Sequence, residues 1–223
     1  MISNIISIFQ SSYMTFGEKI LYLFFFAFCI LFSLIIHECA HGWVALKCGD
    51  PTAKWMGRLT LNPVKHLDPI GTLCMLFLRI GWAKPVPVNP RNFRHYRRDY
   101  ILVSFAGIAV NTLIFLTGTF FAVLTRKNMT AQWIAYVYEF LVILAQMNLC
   151  LAVFNLLPVP PLDGFRLVDQ LIFKGSLNLS RQAMQYIQIG FLIVCVSGLL
   201  NGMLSTVIST VFNSVYSFFG RLI

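Results

Sequence analysis

The chain has 223 residues, of which 58% are hydrophobic and only 11% charged. A soluble domain of this size has too little interior to hide so much apolar surface, so the composition excludes a soluble enzyme and points to an integral membrane protein. The net charge of +9 is not a nucleic-acid signature, because the basic residues collect beside apolar stretches, as they do in membrane-flanking loops.

The apolar stretches run unbroken for roughly 20 residues or more, which favours helices over the alternating strands of a barrel. The expected fold is an all-α polytopic membrane protein. It is a helical bundle of about four to six spans with a small membrane-associated β element and a re-entrant loop. Residues 1–16 lack a basic n-region and a cleavage motif, and 1–18 read as an interfacial segment rather than a removable signal. The first span covers about 19–46. Its residues 20–36 carry no charge, and residues 37–41 then read His-Glu-Cys-Ala-His.

HExxH on a helix sets two imidazoles at i and i+4 on one face, where both can reach one zinc ion. Glu38 is then placed to take a proton from an attacking water. Three ionisable residues within five positions are costly in hydrocarbon and need compensation. The simpler alternative is that His37, Glu38 and His41 satisfy one another inside a bundle.

The region 47–98 holds ten lysines and arginines. Within it, 70–82 is apolar but too short to span and suits an embedded or re-entrant element. The flanking segments 54–61 (KWMGRLTL) and 84–89 (KPVPVN) look extended and able to pair as strands, with Pro85 and Pro87 confining the second to an edge. Spans two and three cover about 100–124 and 133–157. The uncharged stretch 186–220 suits one tilted helix plus an interfacial segment, or two short spans broken around Asn201-Gly202. Thirteen basic residues in 47–98 and 158–185, against four on the other side, place those two regions in the cytoplasm. The six cysteines are scattered with no C-x-x-C and read as small buried residues.

A catalytic zinc takes three protein ligands and keeps one open position. His66 and His95 are possible third ligands. Asp163 is the better candidate, because Pro158, Pro160 and Pro161 break the backbone before it and broken backbone at membrane depth lines cavities. Asn111, in the second span, is either interhelical glue or a donor to the oxyanion formed when water attacks a carbonyl. Glu139, in the third span, has no assigned role.

These motifs resemble the site-2 protease family of intramembrane zinc metalloproteases, peptidase family M50, and within it the short bacterial branch without PDZ or CBS domains. The likeness covers about residues 33–170 and rests on HECAHGWVALKCGDPTAKWMGRLTLNP, HLDPIG, GWAKPVPVNP, AGIAVN and NLLPVPPLDG in the family's order. It implies that His37, His41 and Asp163 bind one Zn2+ per chain and that Glu38 is the catalytic base. Asn111 would match the family's asparagine near the zinc, although Ile108 stands where the family usually has proline. It also implies a membrane-associated sheet near KWMGRLTL, a transmembrane protein or peptide as substrate, contact with lipid, and no nucleic-acid partner.

The whole of 1–223 is expected to form a single protease domain, with a catalytic core at 19–170 and C-terminal span or spans at 186–220. The expected location is the bacterial plasma membrane, with the site toward the cytoplasm. Oligomeric state is not legible. The rival readings are a zinc-dependent membrane scaffold and a metal transporter. Glu38 argues against the scaffold, since a structural site takes four ligands and needs no base. The convergence of the ionisable residues argues against a transport path.

Overall fold

The computed structural model describes residues 14–68, 71, 84–177 and 179–223. Most of the expected N-terminal interfacial segment, and nearly all of the expected re-entrant element at 70–82, lie outside the described residues. Seven α-helices run through the described chain: α1 (Phe16–Lys47), α2 (Thr52–Trp55), α3 (Tyr96–Lys127), α4 (Gln132–Asn155), α5 (Asp163–Leu171), α6 (Arg181–Ser197) and α7 (Leu199–Leu222). Among them α1, α3 and α4 are each long and apolar enough to cross a membrane. At 32 residues, α1 and α3 measure about 48 Å and overrun a hydrocarbon core of about 30 Å. Their charged ends therefore reach the interfaces.

Local chemistry fixes these ends. Thr15 caps α1 by accepting the Glu18 N–H, while the Glu18 carboxylate accepts the Thr15 N–H at 2.8 Å. Lys47 complements the dipole in the last turn. Helices α6 and α7 meet at Gly198, which adopts the left-handed φ of +77°, and bend by 74°. The break falls three residues before the expected Asn201-Gly202, because Gly198 supplies the positive φ of a helix C-terminus; Gly202 is ordinary helix within α7.

The bundle is polar inside and aromatic outside. Ser33, Ser104, Asn111, Thr119 and Asn148 are buried, whereas Phe24, Phe28, Leu113 and Phe121 are exposed. Lipid is as apolar as leucine, so small and hydrogen-bonding residues close the helix contacts instead. Asn148 of α4 donates to the Ser33 hydroxyl of α1 at 2.8 Å, and Ser33 donates to the Cys29 carbonyl at 2.6 Å. Helix α7 packs on α3 and α4 through Phe115, Ala145, Leu149 and Phe212.

The expected β element is not present among the described residues. Thr52–Trp55 is a helical turn, Gly57 follows at φ +60°, and residues 58–62 run as bends and irregular chain. A positive φ redirects the chain where a strand would need to continue, and Pro85 and Pro87 remove donors from the other side. The two segments are instead joined by the Arg58 guanidinium, which donates to the carbonyls of Lys84 at 2.7 Å and Pro85 at 3.2 Å.

The 84–92 segment is tied back to the end of α1 by fully buried Asp50. Its carboxylate accepts the Asn89 N–H at 2.7 Å, the Asn92 amide at 2.8 Å, the Thr52 N–H at 3.1 Å and the Thr52 hydroxyl. Arg97 of α3 donates to the Gln170 and Leu171 carbonyls at 2.9 and 3.3 Å, satisfying orphan groups at the end of α5 and pinning that helix to α3.

Candidate active site

Helical spacing brings the Nε2 atoms of His37 and His41 to 3.0 Å. His37 lies ten residues before Lys47, about 15 Å along the helix. The third group comes from beyond α4. Leu162 is the backbone N-cap of α5, so Asp163 opens that helix without capping it by side chain. Gly164 allows the approach, since a Cβ there would meet the Leu156 carbonyl oxygen at 2.3 Å. Asp163 Oδ2 then stands 3.2 Å from His37 Nε2 and 3.0 Å from His41 Nε2.

One stripe of α3 stands behind the two imidazoles. His41 Nδ1 lies 2.7 Å from the Val103 carbonyl. A carbonyl only accepts, so Nδ1 carries the proton and Nε2 presents its lone pair. Gly107, one turn on, lets the helix close on His37, where a Cβ would meet the ring at 2.4 Å. Asn111, one further turn on, sets its amide 3.2 Å from His37 Nδ1.

The donor set fits a zinc ion. His41 Nε2 and Asp163 Oδ2 are both acceptors, and buried Asp163 Oδ2 has no hydrogen-bond donor. Acceptors crowded at about 3 Å repel unless a cation lies among them. Tetrahedral zinc with ligands at about 2.0–2.1 Å separates them by roughly 3.3–3.4 Å, close to the separations found. Glu38 points beside this cluster, with Oε2 accepting the Val86 N–H at 2.8 Å. The cluster lies in the wall of a cavity of about 500 Å³ that Glu38, Tyr100, Ser104, Asn155 and Arg166 also line.

The structure thus brings together His37, His41 and Asp163 with Glu38 beside them. It does not bring in the other candidate ligands. His66 is buried with Nε2 on the Thr60 carbonyl at 2.8 Å, and His95 is exposed at the start of α3. Asn111 is fully buried behind His37, and the asparagine lining the cavity is Asn155. Sequence reasoning missed Asn155, although it opens the NLLPVPPLDG phrase. It also missed the Val86 amide and the Val103 carbonyl, which as backbone groups leave no residue-type signal.

Comparison with known proteins identifies the family of the chain. The model of peptidase family M50 matches residues 116–197. The chain is 44% identical over 173 residues to "Putative zinc metalloprotease YwhC" of Bacillus subtilis, covering 76% of this chain and 79% of that protein. It is 30% identical over 174 residues to "Putative zinc metalloprotease Rip2" of Mycolicibacterium smegmatis, covering 74% of this chain and 63% of that protein. A Rip2 of Mycobacterium tuberculosis is 29% identical over 180 residues, covering 77% and 66%. No solved structure matches the chain. The site and fold define a membrane-embedded zinc metalloprotease. The chain belongs to peptidase family M50, the site-2 protease family.

Proposed function

We propose that this chain is an intramembrane endopeptidase that hydrolyses peptide bonds in or near transmembrane segments of membrane-protein substrates. The observation that carries the reading is the position of the cluster. Two of its three groups lie within a spanning helix, in the wall of a cavity bounded by α1, α3, α4 and the start of α5.

In this reading His37, His41 and Asp163 hold zinc, which when bound polarises the scissile carbonyl and acidifies the attacking water. Glu38 takes the proton from that water at Oε1, the oxygen not engaged by Val86, and returns it to the leaving amine. The amide donor to the oxyanion has to face the cavity; Asn155 does so, whereas Asn111 contacts His37 from behind. The substrate approaches through an apolar groove of about 450 Å³ between Cys39, Ala40 and Trp43 of α1 and the chain at Leu59–Leu61. The excess of basic residues in 47–98 and 158–185 supports a site open toward the cytoplasm of a bacterial plasma membrane.

The test is cleavage of a transmembrane peptide in proteoliposomes by the wild type and by Glu38→Gln. The variant is expected to keep zinc and lose cleavage, because an amide accepts no proton from water. Undiminished cleavage by Glu38→Gln would remove the catalytic reading. Leu59→Pro, which deletes a backbone donor along the groove, is expected to lower cleavage without loss of zinc.

A further inference from the structure

We propose that Asn111 is the positioning residue that fixes His37 as a metal ligand, its side-chain oxygen accepting the Nδ1–H of His37 and leaving the Nε2 lone pair for zinc. This rests on the reading of His37, His41 and Asp163 as the zinc site.

The amide of Asn111 is fully buried and 3.2 Å from His37 Nδ1. With Nδ2 toward the ring, Asn111 Oδ1 is buried with nothing to accept. That orientation also makes Nδ1 an acceptor, which moves the ring proton to Nε2 and blanks the lone pair that faces His41 and Asp163. Amide oxygen and nitrogen are isosteric, and the hydrogen-bond chemistry decides which faces the ring. With Oδ1 toward Nδ1, the orphaned oxygen gains a donor and His37 takes the tautomer that His41 already has. Both histidines then deliver Nδ1–H to acceptors on one face of α3: His41 to the Val103 carbonyl and His37 to Asn111, eight residues on and two turns along. Gly107 lies between them and seats the His37 ring against the helix. An acceptor behind each imidazole fixes ring orientation and strengthens the ligand.

The test is zinc affinity, measured by chelator competition on the purified full chain, for wild type, Asn111→Asp, Asn111→Leu and His37→Ala. Cobalt(II) spectra of the same proteins report ligand geometry. Asn111→Asp keeps the acceptor and removes every donor, so it is expected to bind zinc at least as tightly as wild type with an unchanged cobalt spectrum. Asn111→Leu removes the acceptor and is expected to weaken zinc binding about 10- to 100-fold. If Asn111→Asp binds zinc tenfold or more weakly, or if folded Asn111→Leu binds it like wild type, the proposal is overturned while the zinc site stands. Full zinc retention by His37→Ala would instead overturn the site reading itself.

Discussion

The backbone N–H of Val86 lies 2.8 Å from Oε2 of Glu38, joining the segment 84–92 to a carboxylate 48 residues earlier in the chain. In the mechanism proposed above, this bond fixes one oxygen of Glu38 and leaves the other for proton transfer. Val86→Pro deletes that donor between two prolines that already suit the chain there. Turnover should fall about tenfold or more, because misplacing a catalytic group by an ångström is costly. Zinc content should not change. Single-turnover cleavage with parallel zinc assay checks both parts, and loss of zinc would show that the segment supports the metal site instead.

Metal content follows from the donor set. The purified protein should hold one zinc per chain. His37→Ala, His41→Ala and Asp163→Ala should each lose most of it, since two remaining ligands make a weak site. His66→Ala should keep it, because that imidazole is engaged with the Thr60 carbonyl. Zinc retained by Asp163→Ala and lost by His66→Ala would reassign the third ligand.

Gly107 and Gly202 form a matched pair. A Cβ at Gly107 would meet the His37 ring at 2.4 to 2.6 Å, whereas one at Gly202 would meet nothing within 4 Å. Gly107→Ala should therefore weaken zinc binding by at least about tenfold by displacing the ring. Gly202→Ala should leave affinity unchanged and slightly stabilise α7. Equal zinc affinity in the two variants would contradict the close seating of His37 on α3.

Asp50 sets an acid limit on the 84–92 segment. Burial opposes its ionisation, but hydrogen bonds from Thr52, Asn89 and Asn92 outweigh this and hold the carboxyl below the ordinary aspartate value. A folded value below the unfolded one gives stability that is present above the unfolded value, about 4, and is lost as pH falls through the folded one. The Tm advantage of wild type over Asp50→Asn should hold at neutral pH and shrink progressively below about pH 4. An advantage independent of pH would mean that the clip does not depend on charge.

Orientation is read by labelling. A cysteine placed at Ser176 should react from the cytoplasmic side and one at Asn128 from the opposite side, over the background of the native cysteines. The thirteen-to-four bias in basic residues motivates this. The reverse pattern would invert the topology.

The convergence of His37, His41 and Asp163 was legible in the sequence because its pieces carry strong local constraints. HExxH has helical spacing, and Asp163 follows three prolines that break the chain between two helices. The spans of α1, α3 and α4 were legible because apolar length is a one-dimensional quantity. Residues 54–61 were not, because alternation over eight residues does not reveal that Gly57 turns the chain at positive φ. The direction of Asn111 was also hidden. Helix periodicity places it on the face of Val103 and Gly107, but only the packed ring of His37 shows that Asn111 contacts that ring and does not line the cavity. Contacts made by the backbone, such as the Val86 amide on Glu38, depend on a fold-back that no residue type announces.

Asp163 lies 126 residues after His37 in the chain. Ribosomes add about 5–20 residues per second, so an interval on the order of ten seconds separates emergence of His37 from that of Asp163. By then α1, α3 and α4 have all been made. On the zinc reading proposed for these residues, a nascent chain still at the translocon therefore carries an unarmed motif. It becomes a protease only when its own synthesis has passed the helices that enclose it.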